Sequence, residues 1–272
     1  MGIVNLTPDS FYDGGKNYSP VRAVQHSHML VEQGAHILDL GAESSRPGAD
    51  PVSPATEQAR LLPVLRALHT HYHADTATHG AEAVSPLLSV DTYHAATARA
   101  ALTEGAHIIN DISACRFDPA LLDVLLEFKP GYVLMHSQGE PKTMQQAPAY
   151  TNTLDEVLAF FERHLTRLVK AGLPETHIVL DPGIGFGKCL QHNMALLRGI
   201  ARLAALGRPV LMALSMKSLF RDLLDLPASP QLRATATQVA TALLAAEGVS
   251  LHRVHDVKTT AQTLYMVQAF RA

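Results

Sequence analysis

A single-domain (β/α)8 barrel, the TIM class of α/β fold, is predicted by three features of this sequence. Short apolar runs alternate with longer amphipathic stretches along the whole chain, the pattern of repeated βα units. Gly34, Gly105, Gly172, Gly207 and Gly248 stand where helices should stop shortly before strands begin. The length of 272 residues also suits the ~250 typical of one closed barrel. No Pro/Ser-rich linker divides the chain, so residues 1–272 are expected to form one domain, and 47% apolar residues suffice for a sizeable core.

Taken in order, the expected strands are Ile3–Leu6, His36–Leu40, Leu87–Asp91, His107–Asn110, Tyr132–His136, His177–Asp181, Pro209–Leu214 and Leu251–His255. Helix-length segments lie between them. Residues 56–68 carry Leu61, Leu62, Val64, Leu65 and Leu68 as a stripe at helical spacing. Leu154–Val169 and Gln238–Ala246 behave in the same way. Residues 69–86, with His69, His71, His73 and His79, are the one biased segment. Alternating histidines can chelate metal, but the simpler expectation is a solvated loop on the N-terminal face of the barrel, which is rarely catalytic.

Composition excludes several classes of function. A net charge of -3 gives no field for nucleic acid or anionic membrane, so any anionic ligand needs a local site. Cys115 and Cys189 lie far apart and match no zinc or redox spacing, which points to free thiols in a reducing compartment. No apolar run reaches the ~18 residues of a membrane span. The N-terminus lacks a basic stretch and meets Asn5, Asp9 and Asp13 at once, unlike a signal peptide. A soluble cytoplasmic protein is expected. Met1 stands directly on the first apolar run, which suggests that an upstream segment is missing from this chain.

Each expected strand ends in polar chemistry at its C-terminal end, where barrel active sites are built. Asn5 ends the first strand, and Asp39, Glu43, Ser45 and Arg46 cluster around the second. Asp91, Asn110 with Asp111, His136 and Asp181 close the third to sixth. Ser215 and Lys217 follow the seventh, and Arg253 and His255 close the eighth. One such residue could simply staple a loop; eight strand ends carrying them argue for a site. Asp91, Asn110 and Asp181 together suit a heterocycle edge with several N–H donors beside acceptors. Arg253 and His255, at the mouth of the last helix and expected near Asn5, suit a phosphate-type anion. Lys217 could donate to a ring nitrogen or carbonyl. A Schiff-base role is disfavoured, because this lysine follows its strand among serines and does not sit within an apolar strand. The run Asp181-Pro182-Gly183-Ile184-Gly185-Phe186-Gly187-Lys188 lets backbone approach a flat ligand, and it lacks the GxGxxG spacing of a dinucleotide fold.

These residues also carry a family resemblance. Met1-Gly2-Ile3-Val4-Asn5-Leu6-Thr7-Pro8-Asp9-Ser10-Phe11 with Asp13-Gly14-Gly15 resembles the first signature of the dihydropteroate synthases, and Gly41-Ala42-Glu43-Ser44-Ser45-Arg46-Pro47-Gly48 is similar to the second. Ser89-Val90-Asp91-Thr92, Asn110-Asp111-Ile112, Leu134-Met135-His136, Pro141-Lys142-Thr143-Met144, Asp181 to Lys188 and Arg253-Val254-His255-Asp256-Val257 follow in the family's order. The resemblance implies condensation of 6-hydroxymethyl-7,8-dihydropterin diphosphate with p-aminobenzoate to 7,8-dihydropteroate and pyrophosphate, in folate biosynthesis, with Mg2+. It implies that Asp91, Asn110, Asp181 and Lys217 hold the pterin, with Ile112 and Met135 against its faces. Asn5, Arg253 and His255 would hold the diphosphate, Asn5 beside the metal. Phe186, Ser45, Pro47, Lys217 and Ser218 would line the aminobenzoate pocket. Asp13 and Arg46 would sit on two closing loops, and with Lys217, Arg253 and His255 they would carry the chemistry. It further implies a homodimer formed through the later helices, and a sulfonamide target. Pterin-binding relatives with another acceptor, such as folate-binding methyltransferase domains, share the barrel and its pterin-facing Asp and Asn. They have no need of Ser45-Arg46-Pro47 or of the Arg253/His255 anion site.

The chain departs from the family pattern at four positions. Met216 stands where an Arg is usual in Ser215-Met216-Lys217-Ser218, Ser137 replaces a Met, Ser45 a Thr and Ala236 a Gly. Met216 is the largest change, because it removes both a charge and a bidentate fork.

Overall fold

The computed structural model describes residues 1–7, 19–44, 50–73, 85–140, 142–225 and 230–271. These residues fall into two compact units whose boundary in the chain lies between Tyr132 and Val133. The first unit alternates β1 (Gly2–Asn5), α1 (Pro20–Glu32), β2 (Ile37–Gly41), α2 (Pro54–His73), β3 (Leu87–Asp91), α3 (Ala95–Thr103), β4 (Ile108–Asp111) and α4 (Leu121–Phe128). The strand β5 (Gly131–Met135) begins there and runs into the second unit. That unit continues with α5 (Thr153–Ala171), β6 (Ile178–Asp181), α6 (Leu190–Arg198), α7 (Ile200–Ala204), β7 (Leu211–Met212), α8 (Leu219–Leu224), α9 (Pro230–Ala246), β8 (Leu251–His252) and α10 (Val257–Arg271).

In the first unit β1 to β4 pair in chain order and in parallel, and Gly131 N donates to His107 O at 3.0 Å to add β5. In the second unit His136 N donates to Asp181 O at 2.9 Å, Leu180 bridges to Val210 in parallel, and β7 pairs with β8. All eight expected strands are therefore present. Strands of a parallel sheet covered on both faces bury nearly every side chain, as Leu38, Leu40, Leu88, Val90, Ile109 and Leu134 do here. The last two are shorter than expected. The chain turns after Met212, where Lys217 N donates to Leu214 O at 3.3 Å, so residues up to Leu214 do not continue β7.

Helix ends follow the local chemistry. In α5 the Asn152 side chain accepts from Asp155 N at 3.2 Å, Asp155 and Glu156 fill the first turn, and Lys170 stands in the last, each complementing the dipole at its end. Gly172 then closes the helix in the left-handed region at φ 113°. The other four glycines expected to stop helices, Gly34, Gly105, Gly207 and Gly248, also have positive φ. One expectation is corrected. The segment from His69 onward is not a loop from its start, because α2 runs to His73. No Gly or Pro occurs between Leu68 and Gly80 to stop it. His71 instead packs edge-on against His28 with ring centres 4.3 Å apart, and His28 Nδ1 lies 2.8 Å from Tyr72 OH. Residues 74–84, including His79, lie outside the described residues.

At the end of β4 a buried carboxylate organises the next turn. Asp111 accepts from Ser113 N at 2.7 Å, from Cys115 N at 2.6 Å and from Tyr132 OH at 2.9 Å. Ala114 and Cys115 lie in the left-handed region, at φ 55° and 59°. Asp111→Ala would strip an acceptor from three donors in a site closed to water. A loss of about 3 kcal/mol or more is expected, read as a fall in the urea midpoint; a fall under about 1 kcal/mol would contradict this account of the turn.

Candidate functional site

In the first unit the register of the parallel sheet places the polar strand ends. Gly41 pairs with Asp91, and Asp91 with Asn110, so the two polar residues expected at the ends of the third and fourth strands stand side by side. One step deeper runs a buried polar row: Asp39 accepts from Ser89 Oγ at 2.6 Å and from Asn110 Nδ2 at 3.1 Å. Asp39 is 0% exposed, and its contact fixes the Asn110 amide. Asp91, at the matched position of β3, is half-buried. Ile112 is buried beside them, and Asn5 ends β1, half-buried.

Beside Asp91 lies a cluster that the strand-end argument passes over. Glu43 accepts from Tyr93 OH at 2.6 Å and sits 3.3 Å from His94 Nε2. Glu57, on α2, is 1% exposed. Its Oε2 has no hydrogen-bond partner among the described residues. Glu43, Glu57, Asp91, Thr92, Tyr93 and Ile112 line one pocket of about 10 Å³, room for a single water. Burial pushes the Glu57 carboxyl up, against the Thr97 and Thr92 hydroxyls and His94. The Glu43 hydrogen bond holds the His94 imidazole above its usual range, and Glu57, Glu43 and Asp118 add to that. A signal for this cluster was present in the sequence, since Glu57 lies on the helical stripe of Leu61, Val64 and Leu68.

In the second unit Asp181 ends β6, 4% exposed, with its Oδ1 accepting from Gly183 N at 2.7 Å. Burial pushes its carboxyl up, against the Gly183 N–H and the charges of Lys217, Lys188 and Arg253. The Gly-rich run after it is shaped by Lys188, whose buried Nζ donates to the carbonyls of His136, Gly183 and Phe186 at 3.1, 3.0 and 2.9 Å. Gly183 must be glycine: its φ is +65°, and a Cβ there would lie 2.0 Å from His136 O. Asn193 Oδ1 holds Gly185 N at 2.8 Å. Lys217 Nζ donates to Ile184 O and lies 4.5 Å over the Phe186 ring, a cation–π distance. Burial pushes the Lys217 amine down to about 8, against the pull of Asp181 and with a further push from Arg253. Met135 is buried at the end of β5.

Arg253 and His255 follow β8, where Arg253 N donates to Met212 O at 2.9 Å. His255 Nδ1 meets Ser215 Oγ at 2.9 Å, so the residues after β7 and β8 are tied together. Met216 has φ +60°. Its N donates to Thr237 Oγ1 at 3.3 Å, and its O accepts from Arg233 Nη1 at 3.4 Å. Backbone contacts to α9 therefore hold this turn, independent of the side chain at 216. Ser218 is exposed ahead of α8. Asp13, Ser45, Arg46 and Pro47 lie outside the described residues.

Chemically, each unit offers a carboxylate at a strand end beside a second polar group: Asp91 with Asn110, Asp181 with Lys217. The second adds an aromatic face and a cationic residue, Arg253, one strand on. Among the described residues no group of three His, Cys, Asp or Glu side chains is placed to hold a metal ion by itself. Asn5, half-buried at the end of β1, carries an amide oxygen, a donor type that a magnesium ion accepts.

The profile of the pterin binding enzyme family matches residues 1–255. Dihydropteroate synthase of Escherichia coli K12 is 39% identical over 269 residues, which cover 99% of this chain and 90% of that protein. The Yersinia pestis dihydropteroate synthase, solved with a sulfonamide drug, superposes with a TM-score of 0.88 at 38% identity, over 100% of this chain and 93% of that one. The Xanthomonas albilineans dihydropteroate synthase with 4-aminobenzoic acid gives a TM-score of 0.88 at 38% identity, over 100% and 92%. The fold is thus the (β/α)8 class of these enzymes.

The lowered amine yields a direct measurement. Lys217 is expected to react with an amine-selective acylating reagent with half-maximal rate near pH 8, well below surface lysines. A label at Lys217 that rises only near pH 10.5, the ordinary lysine value, would contradict the desolvation of this half-buried amine.

Proposed function

This chain belongs to the pterin binding enzymes and, within them, to the dihydropteroate synthases, and from that premise we propose that it joins p-aminobenzoate to 6-hydroxymethyl-7,8-dihydropterin diphosphate, giving 7,8-dihydropteroate and pyrophosphate. The observation that carries the proposal is the Asp181–Lys217–Phe186 group: a buried acid and an amine over an aromatic face. Such a group recognises a flat, hydrogen-bonding heterocycle better than a sugar or a peptide. Asp181 would accept ring N–H groups, Lys217 would donate to a ring nitrogen or carbonyl, and Met135 would pack against the ring face. Asp91, Asn110 and Ile112 are assigned to the pterin by the resemblance, and each is to be tested by itself. Phe186, Ser45, Pro47, Lys217 and Ser218 are assigned to the aminobenzoate in the same way. A single profile running over residues 1–255 supports reading the chain as one pterin-binding domain.

The reaction breaks the bond between the pterin methylene and the diphosphate oxygen, and forms a bond from that methylene to the aniline nitrogen, which then loses a proton. The electron-rich ring carries the developing cation, so what the protein must supply is charge for the leaving pyrophosphate and exclusion of water. Arg253 and His255 are suited to the first task, held together after β7 and β8 by the Ser215 contact. A magnesium ion beside Asn5 would neutralise further charge on the diphosphate. Asp13 and Arg46 are assigned to loops that exclude water. No strong general base is required, because a neutral aniline is already the nucleophile.

A homodimer in the cytoplasm is part of the same proposal. Val239, Leu243, Tyr265, Met266 and Phe270 on α9 and α10 are 51–83% exposed, an apolar face of the kind that an isologous contact covers. Cys115 and Cys189 are free thiols, in keeping with a reducing compartment. No helix among the described residues is long and apolar enough to cross a membrane. Sulfonamides, which resemble the aminobenzoate, are expected to compete with it.

Two variants test the site. Asp181→Ala is expected to abolish binding of a pterin in calorimetry, since it strands ring donors in a closed pocket at about 1–3 kcal/mol each; unchanged affinity would sink the assignment. Arg253→Ala should weaken pyrophosphate binding while leaving a plain pterin nearly unaffected, and equal losses for both would place the anion elsewhere.

Met216→Arg restores the family's guanidinium on a turn that backbone contacts already hold. It is expected to raise kcat/KM for p-aminobenzoate by ~10-fold, which corresponds to about 1.4 kcal/mol in the transition state. No gain, from a native enzyme already efficient, would show that the thioether is neutral here. Inactivity of both forms would favour a pterin-binding relative with another acceptor.

A further inference from the structure

Three groups assigned to the ligands, Asp181, Lys217 and Phe186, are placed by the run from Gly183 to Phe186. Asp181 Oδ1 accepts from Gly183 N at 2.7 Å. Lys217 Nζ donates to Ile184 O and lies 4.5 Å from the centre of the Phe186 ring. The run forms neither helix nor strand between β6 and α6, and Gly183, Gly185 and Gly187 have φ of 65°, 82° and 62°. Backbone so rich in glycine has the most freedom to lose on ordering. Lys188 orders it from behind. This residue is 3% exposed, and its Nζ donates to the carbonyls of His136, Gly183 and Phe186 at 3.1, 3.0 and 2.9 Å. An ammonium has three N–H donors and no acceptor, so these bonds engage all three and leave none for a ligand. The bond to His136 O anchors the run to the residue that follows β5. Asn193 Oδ1 accepts from Gly185 N at 2.8 Å, and Tyr150 OH donates to Gly187 O at 2.9 Å. Both of these hold glycines; the carbonyls of Gly183 and Phe186, which bracket Ile184, converge on Lys188.

We infer that Lys188 is a positioning residue for p-aminobenzoate capture: its ammonium fixes the backbone on which Lys217 and Phe186 rest, without touching the substrate itself. The inference rests on the proposed roles of Lys217 and Phe186 and extends them to the residue that sets their geometry. A buried cation is a costly way to gain stability, but charge-assisted hydrogen bonds fix geometry more tightly than neutral ones. With Lys188 removed, Gly183 O and Phe186 O lose their common donor, Ile184 O is free to move, and Lys217 loses its fixed rest against the carbonyl and the ring. A small displacement of binding groups is enough to weaken capture. The charge of Lys188 also draws Asp181 toward its ionised form, so the same ammonium bears on both faces of the run.

The test compares the full-length native protein with Lys188→Met, which keeps a long side chain and removes every donor, and Lys188→Gln, which keeps two neutral donors. At saturating pterin diphosphate, Lys188→Met is expected to raise KM for p-aminobenzoate about 10-fold, with kcat changed less, and Lys188→Gln to fall between it and native. Amine acylation gives a readout independent of turnover. In Lys188→Met the pH of half-maximal labelling at Lys217 should move from near 8 toward 10.5, because an amine released from the run is better hydrated. A lower urea midpoint with native KM and native labelling is a stability role alone and overturns the inference. In an active enzyme, either readout moving without the other overturns it too. Failure of both variants to fold does the same, since Lys188 would then hold the fold and not the site. If the native protein makes no dihydropteroate while Lys217 labelling still moves in Lys188→Met, the synthase reading fails and the positioning by Lys188 stands. If the native protein makes dihydropteroate and Lys188→Met matches it in both readouts, only the present inference fails.

Discussion

Parallel pairing in register is the constraint on which the placing of the first unit's polar strand ends depends. With Gly41, Asp91 and Asn110 at matched positions on adjacent strands, the two polar side chains stand side by side without help from any loop. Slipping one strand by a single residue would turn its side chains to the opposite face of the sheet and break the match between its polar end and its neighbours. The Asp39–Ser89–Asn110 row pins that register from inside, because a buried carboxylate tolerates no position where its two donors are out of reach. Hydrophobic burial drives the sheet together, and this polar row selects which register it takes.

The second unit solves a different problem, that of keeping charge in a place where water is scarce. Lys188 places a full positive charge at 3% exposure and is tolerated because three carbonyls converge on it. Those carbonyls can converge only because the run from Gly183 to Gly187 adopts left-handed backbone at each of its glycines. Asp181 and Lys217 are less fully satisfied. Each is pushed by burial toward its neutral form, and each is pulled back by the other. A ligand that offers hydrogen bonds to both would relieve that conflict.

The sequence made the strands, their polar ends and the helix-stopping glycines legible because each rests on a local rule. Apolar runs give strands, and a left-handed C-terminal position demands glycine, as at Gly172 and Gly248. The ends of elements were less legible. The stripe on α2 stops at Leu68, but a helix stops only where something breaks it, so His69 and His71 proved helical. What escaped the sequence altogether were contacts between residues far apart in the chain. Asp39 reads as one more strand-end acid until Ser89 and Asn110 are seen to bind it, and Glu57 lies on the apolar stripe of α2 with nothing in its spacing to say that it meets Glu43 and Asp91 at one pocket. Lys188 reads as the end of a Gly-rich motif, although its contact with His136 O spans 52 residues. Periodicity and spacing carry no information about such pairs.

The most direct test of the account is a coupled assay for pyrophosphate release by the native protein with 6-hydroxymethyl-7,8-dihydropterin diphosphate, run with and without p-aminobenzoate. The account predicts release that depends on p-aminobenzoate and matches 7,8-dihydropteroate formed one for one. Release at the same rate without the acceptor, or none under any condition while the pterin still binds, would contradict it.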